Sequence, residues 1–182
     1  MLAMTTMTIA SQAQTGSILV YGEAGISSSK DPSENKYTSW QVAPGIGYQF
    51  TKNWTAGVTG FYGKSKYNPV VGANSTESNY GAGLFARYTV PLNSTFSIFG
   101  QAEGLYTGGE DNGTDEYNGF VARVFPAVRV DIGRGVALNF DFGGIQYRST
   151  KQDGADESNT NFDVTLGGQS NFGVSINIGG KK

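Results

Sequence analysis

Apolar and polar side chains alternate along most of this chain with a period of two, the spacing that sends successive side chains to opposite faces of a β-strand. In SWQVAPGIGYQF, Trp40, Val42, Pro44, Ile46, Tyr48 and Phe50 share one face, while Gln41, Ala43, Gly45, Gly47 and Gln49 share the other. NYGAGLFARYTVPL repeats the split: Tyr80, Ala82, Leu84, Ala86, Tyr88, Val90 and Leu92 stand against Gly81, Gly83, Phe85, Arg87 and Thr89, with Phe85 an aromatic intruder on the polar face. Carried through, the pattern predicts eight strands, at about 17–29, 38–50, 54–65, 78–92, 96–107, 117–130, 136–148 and 161–178. Near Gly143-Gly144 the parity slips, because Ile145 and Tyr147 follow Phe140 and Phe142, and a β-bulge is expected there.

The connections alternate too. Thr51-Lys52-Asn53, Asn93-Ser94-Thr95 and the segment from Asp131 to Gly135 are short, whereas SKDPSENKY, KYNPVVGANSTE, GGEDNGTDE and TKQDGADESNTN are polar and mostly longer. Tight turns on one rim and long loops on the other predict an up-and-down antiparallel barrel, with turns periplasmic, loops extracellular and, at an even strand count, both termini periplasmic. Volume decides which face looks outward. Eight strands enclose room only for side chains or one small ligand, and both Trp and most of the Tyr and branched aliphatics lie on the apolar face. That face must therefore meet lipid. Ten aromatics near strand ends are expected to form two girdles at headgroup level: Phe50, Trp54 and Phe96 beside the short turns, and Tyr37, Trp40, Tyr62, Tyr80, Tyr106, Tyr117 and Tyr147 toward the long loops.

Composition narrows the chemistry. The 182 residues suffice for one domain and include 27 Gly, 10 Tyr and 11 Phe but no Cys and no His. Without His the chain lacks the usual general base near neutral pH and the commonest metal ligand; without Cys it has no disulfide framework. A net charge of -2 with no basic stripe argues against nucleic acid. Met1 to Gln14 (MLAMTTMTIASQAQ) reads as the tail of a signal peptide cut after Ala13, leaving a barrel over 14–182.

Six charged residues fall mid-strand on the polar face: Glu23, Arg87, Glu103, Arg123, Arg129 and Asp141. Three acids balance three bases, as a semi-dry lumen requires, since an unpaired buried charge is strongly unfavourable. Folding adjacent strands together puts Arg87 one diagonal step from Glu103 and Arg123 one from Asp141, so Glu23 and Glu103 are expected to be matched by arginines. The bland reading is a structural plug of ion pairs and hydrogen bonds; the sharper one is a switchable gate.

Strand number, alternating connections, lumenal charges and the closing strand NFGVSINIG together resemble the small eight-stranded outer-membrane barrels of the OmpA and OmpX type, in particular the single-domain versions common in Bacteroidota. The resemblance implies an ion-paired lumen and a last strand read by the assembly machinery. That signal ends in an aromatic residue in the family, whereas this chain continues past Ile178 into Gly179-Gly180-Lys181-Lys182.

The expected protein is thus an all-β, eight-stranded transmembrane barrel in the bacterial outer membrane, not an enzyme, with no cofactor and no metal site. Hydrolases and acyltransferases of neighbouring barrel families rely on a His beside a Ser or Asp. Expected partners are outer-membrane lipid and lipopolysaccharide, with surface proteins reached through the loops, and the chain is expected to be a monomer. A structural or surface-interaction role leads, and a small diffusion pore is the rival. The last strand outruns the about 9–11 residues that a tilted membrane strand needs, so part of the barrel should stand above the membrane and offer strand edges for adhesion.

Overall fold

The computed structural model describes residues 15–112, 115–167 and 171–179. The expected signal segment and the final Gly180-Lys181-Lys182 lie outside them. Alternating β-branched and aromatic residues form the strand segments β1 (Ser17–Lys30), β2 (Lys36–Gln49), β3 (Trp54–Asn68), β4 (Ser75–Pro91), β5 (Phe96–Asp111), β6 (Asp115–Gly133), β7 (Val136–Asp141), β8 (Gly143–Gln152), β9 (Asn159–Leu166) and β10 (Phe172–Gly179). Every pairing is antiparallel and mostly between sequence neighbours; β10 pairs β1, and β5 pairs β6, so the sheet closes on itself. β7 with β8 forms one wall strand and β9 with β10 another. The molecule is therefore a closed, all-β, eight-stranded antiparallel barrel.

The expected bulge is present. Asp141 pairs Ala127 of β6, but Ile145 pairs Val124, and Gly143 turns the chain with φ 84°. Glycine suits that left-handed backbone because it has no Cβ to clash. The last strand, read from sequence as continuous over 161–178, is interrupted between Leu166 and Phe172. Asp141 pins this break: its two carboxylate oxygens accept hydrogen bonds from the Asn171 backbone N and Nδ2, each 3.0 Å. Bulge and break face each other, and Gly167 N donates to Phe142 O at 2.9 Å.

The break has a consequence at the closure. β1 and β10 stay paired only from Ser17↔Gly179 to Glu23↔Gly173. Beyond it, among the described residues, Ala24 to Lys30 pairs with β2 and β9 with β8, and no pairing joins β1 to β9.

Many residues expected in polar loops are strand instead. β5 and β6 stay paired out to Asp111↔Asp115, and β3 and β4 out to Tyr67↔Ser75. The connections themselves shrink to 31–35, 69–74, 112–114 and 153–158 at that end, against 50–53, 92–95 and 134–135 at the other. The difference between the ends is carried by hairpins that continue past the aromatic ring, because paired antiparallel strands satisfy their own backbone whether the side chains are polar or not.

Candidate functional site

The apolar face points outward along every wall strand, with Ile46, Val58, Leu84, Ile98, Val124, Val164 and Val174 all exposed. Trp54 packs on Tyr88 at the short-turn end (ring centroids 5.0 Å), and Trp40 packs on Tyr62 at the other (5.5 Å). On β2 the two rings are marked by Phe50 and Trp40, a spacing that matches the about 9–11 residues of a tilted membrane strand. Tyr80, Phe96, Tyr106 and Tyr147 are likewise exposed on the outer face. Two of the ten expected girdle residues are elsewhere. Tyr37 shares the parity of lumen-facing Gln41 and its hydroxyl donates to Ser65 Oγ at 3.2 Å. Tyr117 shares the parity of buried Val121 and leans over Gly109. Both sit on the inner side of the rim, because the strands continue past the ring and their parity there is odd.

Inside, the lumen is filled in tiers. At the bottom Arg129 Nη2 holds Asp131 Oδ1 at 2.8 Å, and Nη1 donates to Asn177 Oδ1 at 2.8 Å. Asn177 Nδ2 reaches Ser17 Oγ at 3.3 Å, and Ser17 Oγ reaches Gln49 Oε1 at 3.3 Å, so one hydrogen-bonded chain crosses β6, β10, β1 and β2. Asp131 went unnoticed in the sequence because it adjoins the turn; its signal was its parity with Arg129, two residues away on the same face.

The middle tier is aromatic. Arg87 lies with its guanidinium carbon 4.0 Å from the Phe99 ring centre and 4.8 Å from that of Tyr21, while Tyr21 meets Phe85 edge-on at 5.3 Å. The intruder Phe85 is thus one wall of a cation–π box. Room for it comes from glycine on nearby strands of the same wall: a Cβ at Gly47 would stand 2.6 Å from the Phe85 ring, and one at Gly45, paired with Tyr21, would stand 2.3 Å from the Tyr21 ring. Arg87 Nε donates to Gln101 Oε1 at 2.6 Å, and Gln101 Nε2 donates to Tyr21 Oη at 3.1 Å and to Glu103. Arg87 therefore reaches Glu103 through an amide, not by the direct pair that the diagonal spacing suggested.

Above lies the second charged tier. Arg123 Nη2 meets Asp141 Oδ2 at 2.5 Å and its guanidinium stacks 4.0 Å from the Phe125 ring centre. Glu23, expected to be matched by an arginine, has no hydrogen bond and no ion pair within 4.0 Å among the described residues. Its carboxylate faces open space instead. A cavity of about 430 Å³ and another of about 170 Å³ share Glu23, Gln41, Ala43, Asn79 and Asn171 in their linings. Beneath them, among Tyr21, Arg87, Phe99 and Asp141, lies a cavity of about 10 Å³, roughly the room of one water. The geometry is that of a stoppered cup: a polar vestibule open at the hairpin end over a filled lower lumen.

Among the described residues no group of three acids, His or Cys could hold a metal ion.

A family model described as the autotransporter beta-domain matches residues 19–181. Among solved structures, the chain is similar to the crystal structure of Neisserial surface protein A, NspA, at 14% identity over 88% of this chain and 96% of that one, with a TM-score of 0.48. It is similar also to the backbone structure of the Yersinia pestis outer-membrane protein Ail in a phospholipid bilayer nanodisc, at 12% identity over 90% and 99%, with a TM-score of 0.36. At these scores neither likeness carries a functional argument. No curated protein matches the chain.

Proposed function

The chain belongs to the autotransporter β-domain family and is a small outer-membrane β-barrel; on that footing we propose that it is a non-enzymatic surface protein whose lumen is a structural plug and whose raised hairpins engage partners outside the cell. The observation that carries the reading is the tiered filling of the lumen, in which the free space falls from about 430 Å³ to about 10 Å³ on passing Glu23. A passage that narrow does not let solutes through, so the lumen serves stability and the working surface is the rim. With the hairpins outside, both termini face the periplasm, the arrangement typical of bacterial barrels.

The rim offers a surface of suitable kind. At the tip between β3 and β4, Val70 and Val71 are 60% and 89% exposed, beyond the ring of Tyr62 and Tyr80. Apolar side chains held up on a hairpin clear of the bilayer are candidates for contact with a surface protein. Lipopolysaccharide and lipid meet the girdles below.

Two measurements test the proposal together. In planar bilayers the purified protein should show no steady, reproducible single-channel conductance; such conductance would replace the plug by a pore. A photo-reactive residue at Val71 in intact cells should attach to a surface component, whereas the same residue at Asn93 in the opposite turn should not. Equal labelling from both ends removes the surface-interaction role.

A further inference from the structure

Four lysines that no run of bases marks in the sequence meet on one outer wall of the barrel. Strand register puts Lys30 of β1 directly across from Lys36 of β2. It puts Thr38 and Trp40, the next two outward positions of β2, across from Lys66 and Lys64 of β3. All four lysines share the parity of exposed Ile26, Trp40 and Tyr62, so they stand on the outside of the wall and not in the lumen.

The patch begins at the ring of aromatics. Lys64 is level with Trp40, Lys66 lies one step above it, and Lys36 lies two steps above with Lys30 beside it. From Trp40 to Lys36 the strand covers about 13 Å, or about 10 Å of height at the tilt usual for such barrels.

Like charges directly opposite each other destabilise a strand pair, and the chain supplies little to offset these. Lys36, Lys64 and Lys66 have no ion-pair partner among the described residues, while Lys30 is held by Glu34 at 3.0 Å. The other acid of that turn, Asp31, is taken by Asn35. No acid occupies an outward position of β1 to β4. On the far wall the sign reverses, because Glu110 of β5 is paired with Glu116 of β6 on the outer face.

We propose that this lysine face binds the phosphorylated head of one lipopolysaccharide molecule of the outer leaflet, with the ammonium groups holding the phosphates directly and no divalent cation between them. The site deepens the reading above and rests on it for the hairpins facing outward.

The vertical spread of the lysines selects this ligand. Ammonium groups at a membrane surface attract anionic heads and form charge-assisted hydrogen bonds to phosphate oxygens. A glycerophospholipid carries its phosphate in one plane, where it meets Lys64 alone. A phosphorylated glycolipid carries anionic groups at several heights, as the lysines are stacked. Thr38 and Ser28, paired with each other between those heights, offer hydroxyls to its sugars. Below, the packed Trp40 and Tyr62 rings give its acyl chains an apolar surface.

The test titrates lipopolysaccharide truncated to its phosphorylated inner core into the intact protein in detergent micelles containing EDTA, read by isothermal titration calorimetry. One molecule should bind per barrel. Lys36→Gln, Lys64→Gln and Lys66→Gln combined should weaken binding about 100-fold. Lys36→Gln alone should weaken it about fivefold, and it serves if the triple variant fails to assemble. The same three positions changed to Arg should restore binding, and Lys151→Gln, an outward lysine on β8 across from Asn118, should bind as the parent does. Ligand stripped of its phosphates should bind no better than the parent's ligand binds the triple variant. Binding unchanged by the Gln variants, undiminished for the dephosphorylated ligand, lost in EDTA, or displaced by an equal amount of phosphatidylglycerol overturns the proposal. Because the titration involves no surface protein, it and the labelling at Val71 fail separately.

Discussion

The two ends of this barrel solve the same closure problem differently. In the turn-end half, β1 is zipped to β10, and Arg129, Arg87 and their partners fill the lumen, with Ser17, Gln49, Gln101 and Ser175 buried to 1% exposure. In the hairpin-end half, no pairing joins β1 to β9 among the described residues and the lumen widens into a vestibule. Residues Ala24 to Lys30 and the whole of β9 are exposed there. One side chain marks the boundary: Asp141 accepts from Arg123 below the vestibule and from Asn171 at the break. The rigid half carries the stability, so the open half is free to vary and to bind.

That contrast is broken most sharply by removing an arginine from each half. Arg129→Ala would strand Asp131, whose side chain is 9% exposed, and should lower unfolding stability by about 3–5 kcal/mol, since the orphaned carboxylate stays buried. Arg123→Ala should have the smaller effect, about 1–2 kcal/mol, because that arginine is 24% exposed and Asp141 keeps its two Asn171 donors. Urea titration of the folded barrel in detergent micelles, read by tryptophan fluorescence, measures both. Equal losses would mean that the vestibule contributes as much stability as the plug.

A Cβ added to a glycine probes the same difference in space instead of charge. At Gly57 it would stand 2.1 Å from the Ile46 carbonyl oxygen, and the backbone there has nowhere to go. Gly57→Ala should therefore cost about 1–3 kcal/mol and slow assembly. Gly25→Ala, on the exposed upper part of β1, meets nothing within 4 Å and should leave the urea midpoint unmoved.

The closed half was the easier to read. Period-two alternation is a local property of the chain, so it revealed the eight wall strands, the outward face and the slip at Gly143. Pairing outcomes are not local. Arg87 and Glu103 stand diagonally, yet Gln101 lies directly across from Arg87 and intercepts it. Phe85 looked out of place because its partner Tyr21 belongs to another strand. The break between Leu166 and Phe172 shows in the alternation only as a lapse of the apolar face at Gly168 and Ser170, which reads equally as a polar stretch of continuous strand; it follows from the bulge on the neighbouring wall strand, which the last strand has to accommodate. Tyr37 and Tyr117 were assigned to lipid from their place near strand ends, when only their parity in the extended hairpins turns them inward.

The smallest expected effect lies at the outermost point of the open half, where β1 passes into β2. Asp31 accepts hydrogen bonds from the backbone N of Asn35 (2.9 Å) and from its Nδ2 (2.8 Å), and the Asn35 side chain holds the carboxyl below its ordinary pKa. A depressed carboxyl contributes to the ordered turn above its free value of about 3.9 and withdraws that contribution as pH falls through the lower folded value. In nuclear magnetic resonance spectra of the protein in micelles, the Asn35 amide signals should therefore shift with a midpoint below about 4, and in Asp31→Asn they should not titrate there. Asn35 Oδ1 also accepts from the Val70 backbone N at 3.0 Å, so protonating Asp31 should move the Val70 amide in step. If Val70 stays still while Asn35 titrates, the β1–β2 turn and the β3–β4 tip are mechanically separate, and the upper end of β1 moves without disturbing the apolar tip.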